Sequence, residues 1–527
     1  MSGSYSLLVD WNDDGDFTDT HDDVTSATLN ITWERGRNYA SALLGRSVAG
    51  KLEATLVNTD GKYSPSNTSS ALTGSILPGR SVQVQAGSGS FPYTFPIAFN
   101  GGIRWQGMLE RIVPAPASRG VKTCTLTAWG VLGYLNQFET QLASATDILT
   151  SDAATETSAI GSILDDVGWP DNTDHRTLET GISTISRFWM SGKKAIEAMR
   201  LVEEAEAGFL SESKDGKVVF HNRYHRLTET ASTTSQATFS DASGAAHSYV
   251  ALAQEDPLTT IVNHVEATAR TFDTASVAVL WTLSETGAAS PTLAPGEAKT
   301  FEAEYPNPDA ANNAMEVDAW TVPTHAGGDV RVWTASDGSG TDISSAGDIG
   351  IATTRTAERM AITLTNNSAT AGYVTTLRAR GTAVSTKNPC TVRAIDTTSQ
   401  GIYGERKYIA KTKFIPTTSE AQDWCEYHMT VYGSPIEILT MTIATATDNN
   451  IGQVLTRDLS DRITVVATND AALGINGDFF IEHEKHKVGV GGKEHTTTWK
   501  LSPASGGYSQ FWVLGVSVLG TNTVPAF

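Results

Sequence analysis

The sequence predicts a mainly β, multidomain fold with α+β portions, made of β-sandwich or barrel units with one further sandwich inserted. Three observations predict it. A chain of 527 residues exceeds what one hydrophobic core can serve, so three or four domains are expected. Apolar residues alternate in short runs parted by turn pairs such as Asp14-Gly15, Asp60-Gly61, Pro78-Gly79 and Gly101-Gly102. Thr, Ser, Ala and Gly are plentiful while long Lys/Glu-rich stretches are missing, a balance that favours strands and tight turns over helices.

Residues 1–140 read as a β-domain, with strands at Leu7–Asp10, Thr28–Trp33, Lys51–Asn58, Ser81–Ala86 and Lys122–Trp129. Short strands at regular spacing suit a sandwich or small barrel. Residues 141–267 read as α+β. Ile160, Ile163, Leu164 and Val167 fall at helical spacing over 155–168, and Gly168-Trp169-Pro170 stops that helix. A second helix is expected over Gly192–Ala207, with Ile196, Met199, Val202 and Ala205 on one face and Ser191 as N-cap. Asp215-Gly216, between Phe209–Lys214 and Lys217–Asn222, predicts a hairpin with a type I′ turn. Residues 246–265 read as a return connection.

Residues 268–385 are low in charge, with strands expected at Ser276–Leu283, Thr300–Tyr305, Val330–Ala335, Arg359–Asn366 and Tyr373–Gly381. This region reads as an immunoglobulin-like or similar sandwich inserted into the preceding domain. Residues 386–527 read as a C-terminal α+β domain. Ser419 and Gln422 have capping-box spacing, and Ala421, Trp424, Cys425, His428 and Val431 then share a helix face up to Gly433-Ser434-Pro435. Strands follow at Ile436–Ala444, Arg462–Val466, Phe479–His486 and Thr496–Leu501.

The net charge of −20 repels phosphate backbones, so general nucleic-acid binding is not expected. It suits solubility, divalent cations or the negative lining of a conduit. Cys124, Cys390 and Cys425 are far apart and odd in number, and read as buried free thiols of a protein folded in a reducing cytoplasm. The N-terminus lacks the basic and apolar regions of a signal peptide, and no apolar run approaches the ~18 residues of a membrane span. A soluble protein made in a cytoplasm is expected.

The sharpest local signal is Asp10-Trp11-Asn12-Asp13-Asp14-Gly15-Asp16. Asp10, Asn12, Asp14 and Asp16, with Asp22 beyond, offer hard oxygen ligands at alternating positions around a turn-permitting glycine, the pattern of a Ca²⁺ loop. The twelfth position is His21 rather than Glu. The competing reading is an acidic turn whose side chains bond their own backbone. His483-Glu484-Lys485-His486 has the wrong spacing for a zinc-protease helix, and on a strand its histidines face opposite ways. Asp165-Asp166 and Glu203, Glu204 and Glu206 are expected on solvated helix faces rather than as a glycosidase pair. No catalytic constellation emerges, and the chain reads as a non-enzyme. Arg35, Arg37, Arg46 and Arg80 stand out in an acidic protein. They suit either bidentate contacts with acidic surfaces of neighbouring subunits or salt bridges within the domain. Trp33 and Tyr39 read as core or turn residues.

The run Trp33-Glu34-Arg35-Gly36-Arg37-Asn38-Tyr39-Ala40-Ser41, then Gly45-Arg46-Ser47-Val48-Ala49-Gly50, Asn58-Thr59-Asp60-Gly61-Lys62-Tyr63-Ser64-Pro65 and Leu77-Pro78-Gly79-Arg80, resembles the N-terminal region of siphophage minor tail proteins. Lys214–Arg223 and Gly401-Ile402-Tyr403-Gly404-Glu405-Arg406 are similar to segments of phage baseplate-hub proteins. The resemblance implies a structural tail-tip protein whose first domain seats on the tail tube. It implies a homotrimeric ring joining tube to tip and lining the DNA exit channel, assembled in the host cytoplasm into the virion. Partners would be other tail proteins: the distal tail or tube ring, the tip and the tape-measure protein. The alternative is a receptor- or carbohydrate-binding adhesin, with Trp281, Trp320 and Trp333 of the sandwich as sugar stackers, though their strand positions favour core packing.

Overall fold

A computed structural model describes residues 5–37, 46–86, 102–115, 120–152, 158–255, 258–305, 314–444, 448–469, 473–489, 494–504, 511–512 and 524–525. The fold is mainly β, with several sheets and short helices between them. Its largest sheet has 12 strands. One half comes from the N-terminal region, in the order Tyr5–Val9, Ser81–Ala86, Gly102–Ala115, Thr123–Trp129, Ser47–Val57 and Thr28–Arg37. The other continues through Ile475–Val488, His495–Pro503, Ile438–Ala444 and Ala251–Glu255.

The seam is the antiparallel pairing of Thr28–Arg37 with Ile475–Val488, running from Ile31 opposite Val488 to Gly36 opposite His483. The first half of that long C-terminal strand pairs instead with Arg462–Ala467. A bulge between Ile481 and His483 shifts its phase. Beyond it Glu482, Glu484, His486 and Val488 point inward, while Lys485 and Lys487 face solvent.

Strand alternation builds the cores on either side. Leu52, Ala54 and Leu56 from one strand meet Val82, Val84 and Trp105 from two others, all buried. The helices Ala159–Asp166 and Ala195–Glu206 pack Ile160, Ile163, Met199 and Val202 into a second core.

Strand Gly372–Ile395 is 24 residues long and runs past the expected end of the inserted region. It pairs in turn with His264–Thr274, Ala278–Ser284, Ala314–Thr321 and Val330–Trp333. Its buried Val374, Leu377 and Ala379 pack against Ile349, Met360, Ile362 and Leu364 of a separate three-stranded sheet, giving a two-sheet sandwich.

Several local expectations change. The second helix starts at Ala195, because Ser191–Lys194 is a short strand paired with Glu139–Gln141. Gly216 has φ +78° while Asp215 stays in the ordinary region; a type I′ turn needs both positive, so the hairpin closes on a wider Ser213–Lys217 loop. The C-terminal helix Thr418–Tyr432 is capped by Thr417, whose hydroxyl accepts from the Glu420 amide at 3.1 Å, not by Ser419. Residues 251–255, placed in a connection, form the sheet's edge strand. Cys124 and Cys425 are buried free thiols, but Cys390 is exposed.

Glu203, Glu204 and Glu206 lie in the interior, not on a solvated face. Each carboxylate satisfies backbone amides of an adjoining segment: Leu210 for Glu203, Lys411 and Thr412 for Glu204, Ile182 and Ser183 for Glu206. Charge-assisted bonds to buried amides offset the cost of desolvating the carboxylate.

His428 of the C-terminal helix is buried against Trp424, with ring centroids 3.8 Å apart. Burial pushes its imidazole down to about 4. The unfolded chain takes up this proton near pH 6.5 while the folded chain does so only near 4, so stability falls as pH drops through that window and is flat above it. Thermal melts should show a loss of about 2 kcal/mol between pH 7 and 5 from this group. The slope should be shallower in His428→Gln; an equal slope in the variant would refute the assignment.

Candidate functional site

The Arg35-Gly36-Arg37 stretch lies at the seam, and its arginines enter a buried ionic joint. Arg35 and Glu484 are each 1% exposed and meet at 2.6 Å. The same guanidinium donates to the Glu212 carbonyl at 2.9 Å and to Asp458 at 2.5 Å. Arg226 holds Glu482 with two parallel bonds of 2.7 and 2.8 Å, while Arg37 lies 3.6 Å from Glu482 and Ser502 donates to it at 2.5 Å. The Arg37 and Arg226 guanidiniums each lie over the Phe209 ring. Lys214 donates to the carbonyls of Leu455 and Arg457.

Burial alone would push both glutamates up. The Arg226 and Arg37 charges outweigh it and hold Glu482 at about 2; Arg35 and Lys214 hold Glu484 well below the usual carboxylate range. Burial pushes Glu212, with the Leu132 amide as one partner, up to about 7. Beside the joint, Tyr5 donates to or accepts from His495 at 2.6 Å, and His495 contacts His486 at 3.0 Å. His486 stacks on Trp33 at 4.7 Å.

Arg46 lies 3.6 Å from Glu204, and Arg80 pairs with Asp13 at 2.9 Å. All four arginines therefore have partners within the chain, but only Arg80 finds one within residues 1–140; Arg35, Arg37 and Arg46 pair with carboxylates of later regions, which neither sequence reading anticipated. Trp33 is a core residue, as expected, and Tyr39 lies outside the described residues. His483 and His486 face opposite sides of their strand, and Asp165 pairs with Arg176 at 2.6 Å.

In the acidic loop, Asp10 and Asp22 are each 1% exposed. Asp10 accepts the Asp13 and Gly15 amides at 2.6 and 3.0 Å, and Asp22 accepts those of Trp11 and Asp19. Asp14 accepts the Asp16 amide at 3.1 Å, and Asp16 that of Thr18 at 2.8 Å. The Asn12 amide bridges Asp14 and Asp19 at 2.8 and 2.6 Å. These bonds shape the turn, with Asn12, Asp14 and Asp16 on its exposed side. In the sandwich, Trp320 is buried and donates to the Thr356 carbonyl at 2.7 Å, while Trp281 packs partly against the core.

Among the described residues, the metal-type side chains that converge are Glu179, His221 and His225, whose ligand atoms all lie within 4.8 Å of one another. His221 closes strand Val218–His221, His225 opens helix His225–Thr228, and Glu179 follows strand Arg176–Leu178, paired with the former. His225 Nδ1 and Glu179 Oε1 are 2.5 Å apart. The two imidazoles stack at 3.5 Å with planes 6° apart. Burial, then the adjacent His225, pushes His221 down to about 4. Burial would raise Glu179, but His225 outweighs it and holds it below the usual range. The available sequence signal was His221-Asn222-Arg223-Tyr224-His225, two histidines four apart. It was overlooked because that stretch reads as strand then turn, where such spacing implies no shared face.

No family profile matches the chain, and no curated protein matches it by sequence. Solved structures do. The chain is similar to a tail protein from Neisseria meningitidis MC58, at 10% identity and a TM-score of 0.49 over 96% of this chain and 98% of that one. It is similar to the 43 kDa tail protein of prophage MuSo2 from Shewanella oneidensis, at 9% identity and a TM-score of 0.46 over 95% and 99% of the two chains. It is also similar to prophage tail protein gp18 from Listeria monocytogenes EGD-e, at 8% identity and a TM-score of 0.38 over 94% of each. All three are named as tail proteins. Among the described residues no helix is long and apolar enough to cross a membrane.

Proposed function

We propose that this chain is a structural component of a phage tail tip or baseplate, a hub that assembles as a ring of three copies, joins the tail tube to the distal tip and lines the DNA exit channel. The observation that carries the reading is the joint: strands from both ends of the chain form one sheet, riveted by buried ion pairs. A part that transmits load needs its far-separated segments locked into one body, and fully desolvated, multiply bonded ion pairs resist sliding along a seam. The motifs of residues 33–80 supply the tail-specific part of the reading, and the charge of −20 suits a wall from which DNA must slide. The role involves no catalytic step. Other tail proteins are the partners, and the virion is the place of action.

The test is the mass of the purified chain in solution by light scattering, with calcium and with EDTA. Three copies are expected. A monomer that stays monomeric when a tail-tube ring protein is added would overturn the hub. Calcium at Asp10, Asn12, Asp14, Asp16 and Asp22 is proposed on ligand type and spacing, with an affinity of roughly 10⁻⁴–10⁻³ M. Calorimetry should find one Ca²⁺ per chain, lost in Asp14→Ala. No heat at tenfold excess over that range would leave the loop as a self-bonded turn.

A further inference from the structure

We propose that Glu179, His221 and His225 form a binding site for a divalent transition metal of the zinc class, with three protein ligands and a fourth position open. Two imidazoles and one carboxylate are the donor set such ions take when one position is left to water or a partner. The three residues come from different elements yet bring their donor atoms within 4.8 Å of one another.

The site is held from behind. The Asn222 amide donates to Glu179 Oε2 at 3.0 Å, which leaves Oε1 to face the imidazoles. Asn222 is fixed in turn, donating to the Thr180 carbonyl at 2.9 Å and accepting the Tyr224 amide at 2.8 Å. Carboxylates and turns that orient ligands in this way are the usual support of a metal site.

Bonds of about 2.0–2.2 Å at tetrahedral angles set donors roughly 3.4 Å apart. The ion would replace the proton shared by His225 Nδ1 and Glu179 Oε1, now 2.5 Å apart, and part them by about 1 Å. The stacked rings must also tilt, since lone pairs of parallel rings do not converge on one point. Space exists for this: all three residues are partly exposed, and a small cavity lined also by Phe209, Tyr427 and Ser460 opens beside the histidines. The nearby cations are already compensated, Arg223 by Glu206 at 3.3 Å and Arg226 by Glu482 at 2.7 Å.

The ion would tie strands Arg176–Leu178 and Val218–His221 to the helix that carries Arg226, and so brace the seam from one side. This does not depend on the tail reading; it stands on the geometry of one chain.

The test titrates tag-free, full-length protein with Co²⁺, reading the visible bands of four-coordinate cobalt, then displaces it with Zn²⁺. One equivalent is expected, with a melting temperature raised by several degrees through linkage. His221→Asn and His225→Gln should abolish the bands, and Glu179→Gln should weaken affinity at least tenfold. Far-UV circular dichroism and elution volume without metal check that the variants fold. Absence of the bands in the wild-type chain overturns the site and leaves a hydrogen-bonded trio. Unchanged affinity in Glu179→Gln, the mildest variant, overturns it equally.

Discussion

Replacing Arg35 by alanine is expected to cost about 3–5 kcal/mol of folding stability, the largest effect of any side-chain truncation at the seam. Glu484 is 1% exposed, and without Arg35 its charge has no direct guanidinium partner. The arm to Asp458 matters less, because that carboxylate is 48% exposed and water competes for it. Arg35→Lys keeps the charge but one ammonium cannot reach Glu484, the Glu212 carbonyl and Asp458 together, so a loss of about 1–3 kcal/mol is expected.

The companion change is informative. Arg35→Met combined with Glu484→Gln removes both charges, and should recover most of the loss if the cost is that of a stranded carboxylate. Urea unfolding of wild type, Arg35→Met, Glu484→Gln and the double variant closes the cycle. An Arg35→Ala chain within about 1 kcal/mol of wild type would sink the argument. Acid behaviour follows the neighbouring pair of Glu482 with Arg226. Glu482 titrates at about 2 in the folded chain and near 4.3 when unfolded. Its contribution is thus complete above the unfolded value and is lost as pH falls toward 2.

Gly36→Ala is expected to cost roughly 3 kcal/mol or more, from backbone strain and collision together. Gly36 has φ +113°, and a Cβ there would collide with the Glu482 carbonyl oxygen and lie 2.7 Å from His483 Cα. Both atoms are backbone of the partner strand, so relief requires the seam to part where the two ends of the chain meet. Gly15→Ala is the control: φ is +89° but a Cβ would meet nothing within 4 Å, and only the conformational cost of about 1 kcal/mol remains. Hydrogen exchange of the 483–488 amides should speed up in Gly36→Ala alone. If the two variants melt alike, the close approach is not what Gly36 serves.

Much of the element pattern was legible in the sequence. Strand Arg359–Asn366 alternates Met360, Ile362 and Leu364 toward the sandwich core, and that period-two signal is local. Gly102–Ala115 was missed, though it is a strand of 14 residues, because Arg104, Gln106, Glu110 and Arg111 interrupt its apolar residues. The solvated reading of Glu203, Glu204 and Glu206 failed for a similar reason. Charge on a helix implies water unless something distant donates to it, and the donors here lie as far away as Thr412.

By itself, then, the sequence determined the mainly β class, three of the helices, the turns at Asp14-Gly15, Asp60-Gly61 and Pro78-Gly79 and the motifs that resemble tail proteins, since all of these are written in neighbouring residues. Only the tertiary structure decided that the first and last regions share one sheet and that Arg35 and Arg37 point inward. It alone brought Glu179 to two histidines some forty residues away in the chain. Strand pairing and ion pairing across hundreds of residues are selected by the packing of whole surfaces, and no local period or spacing records them.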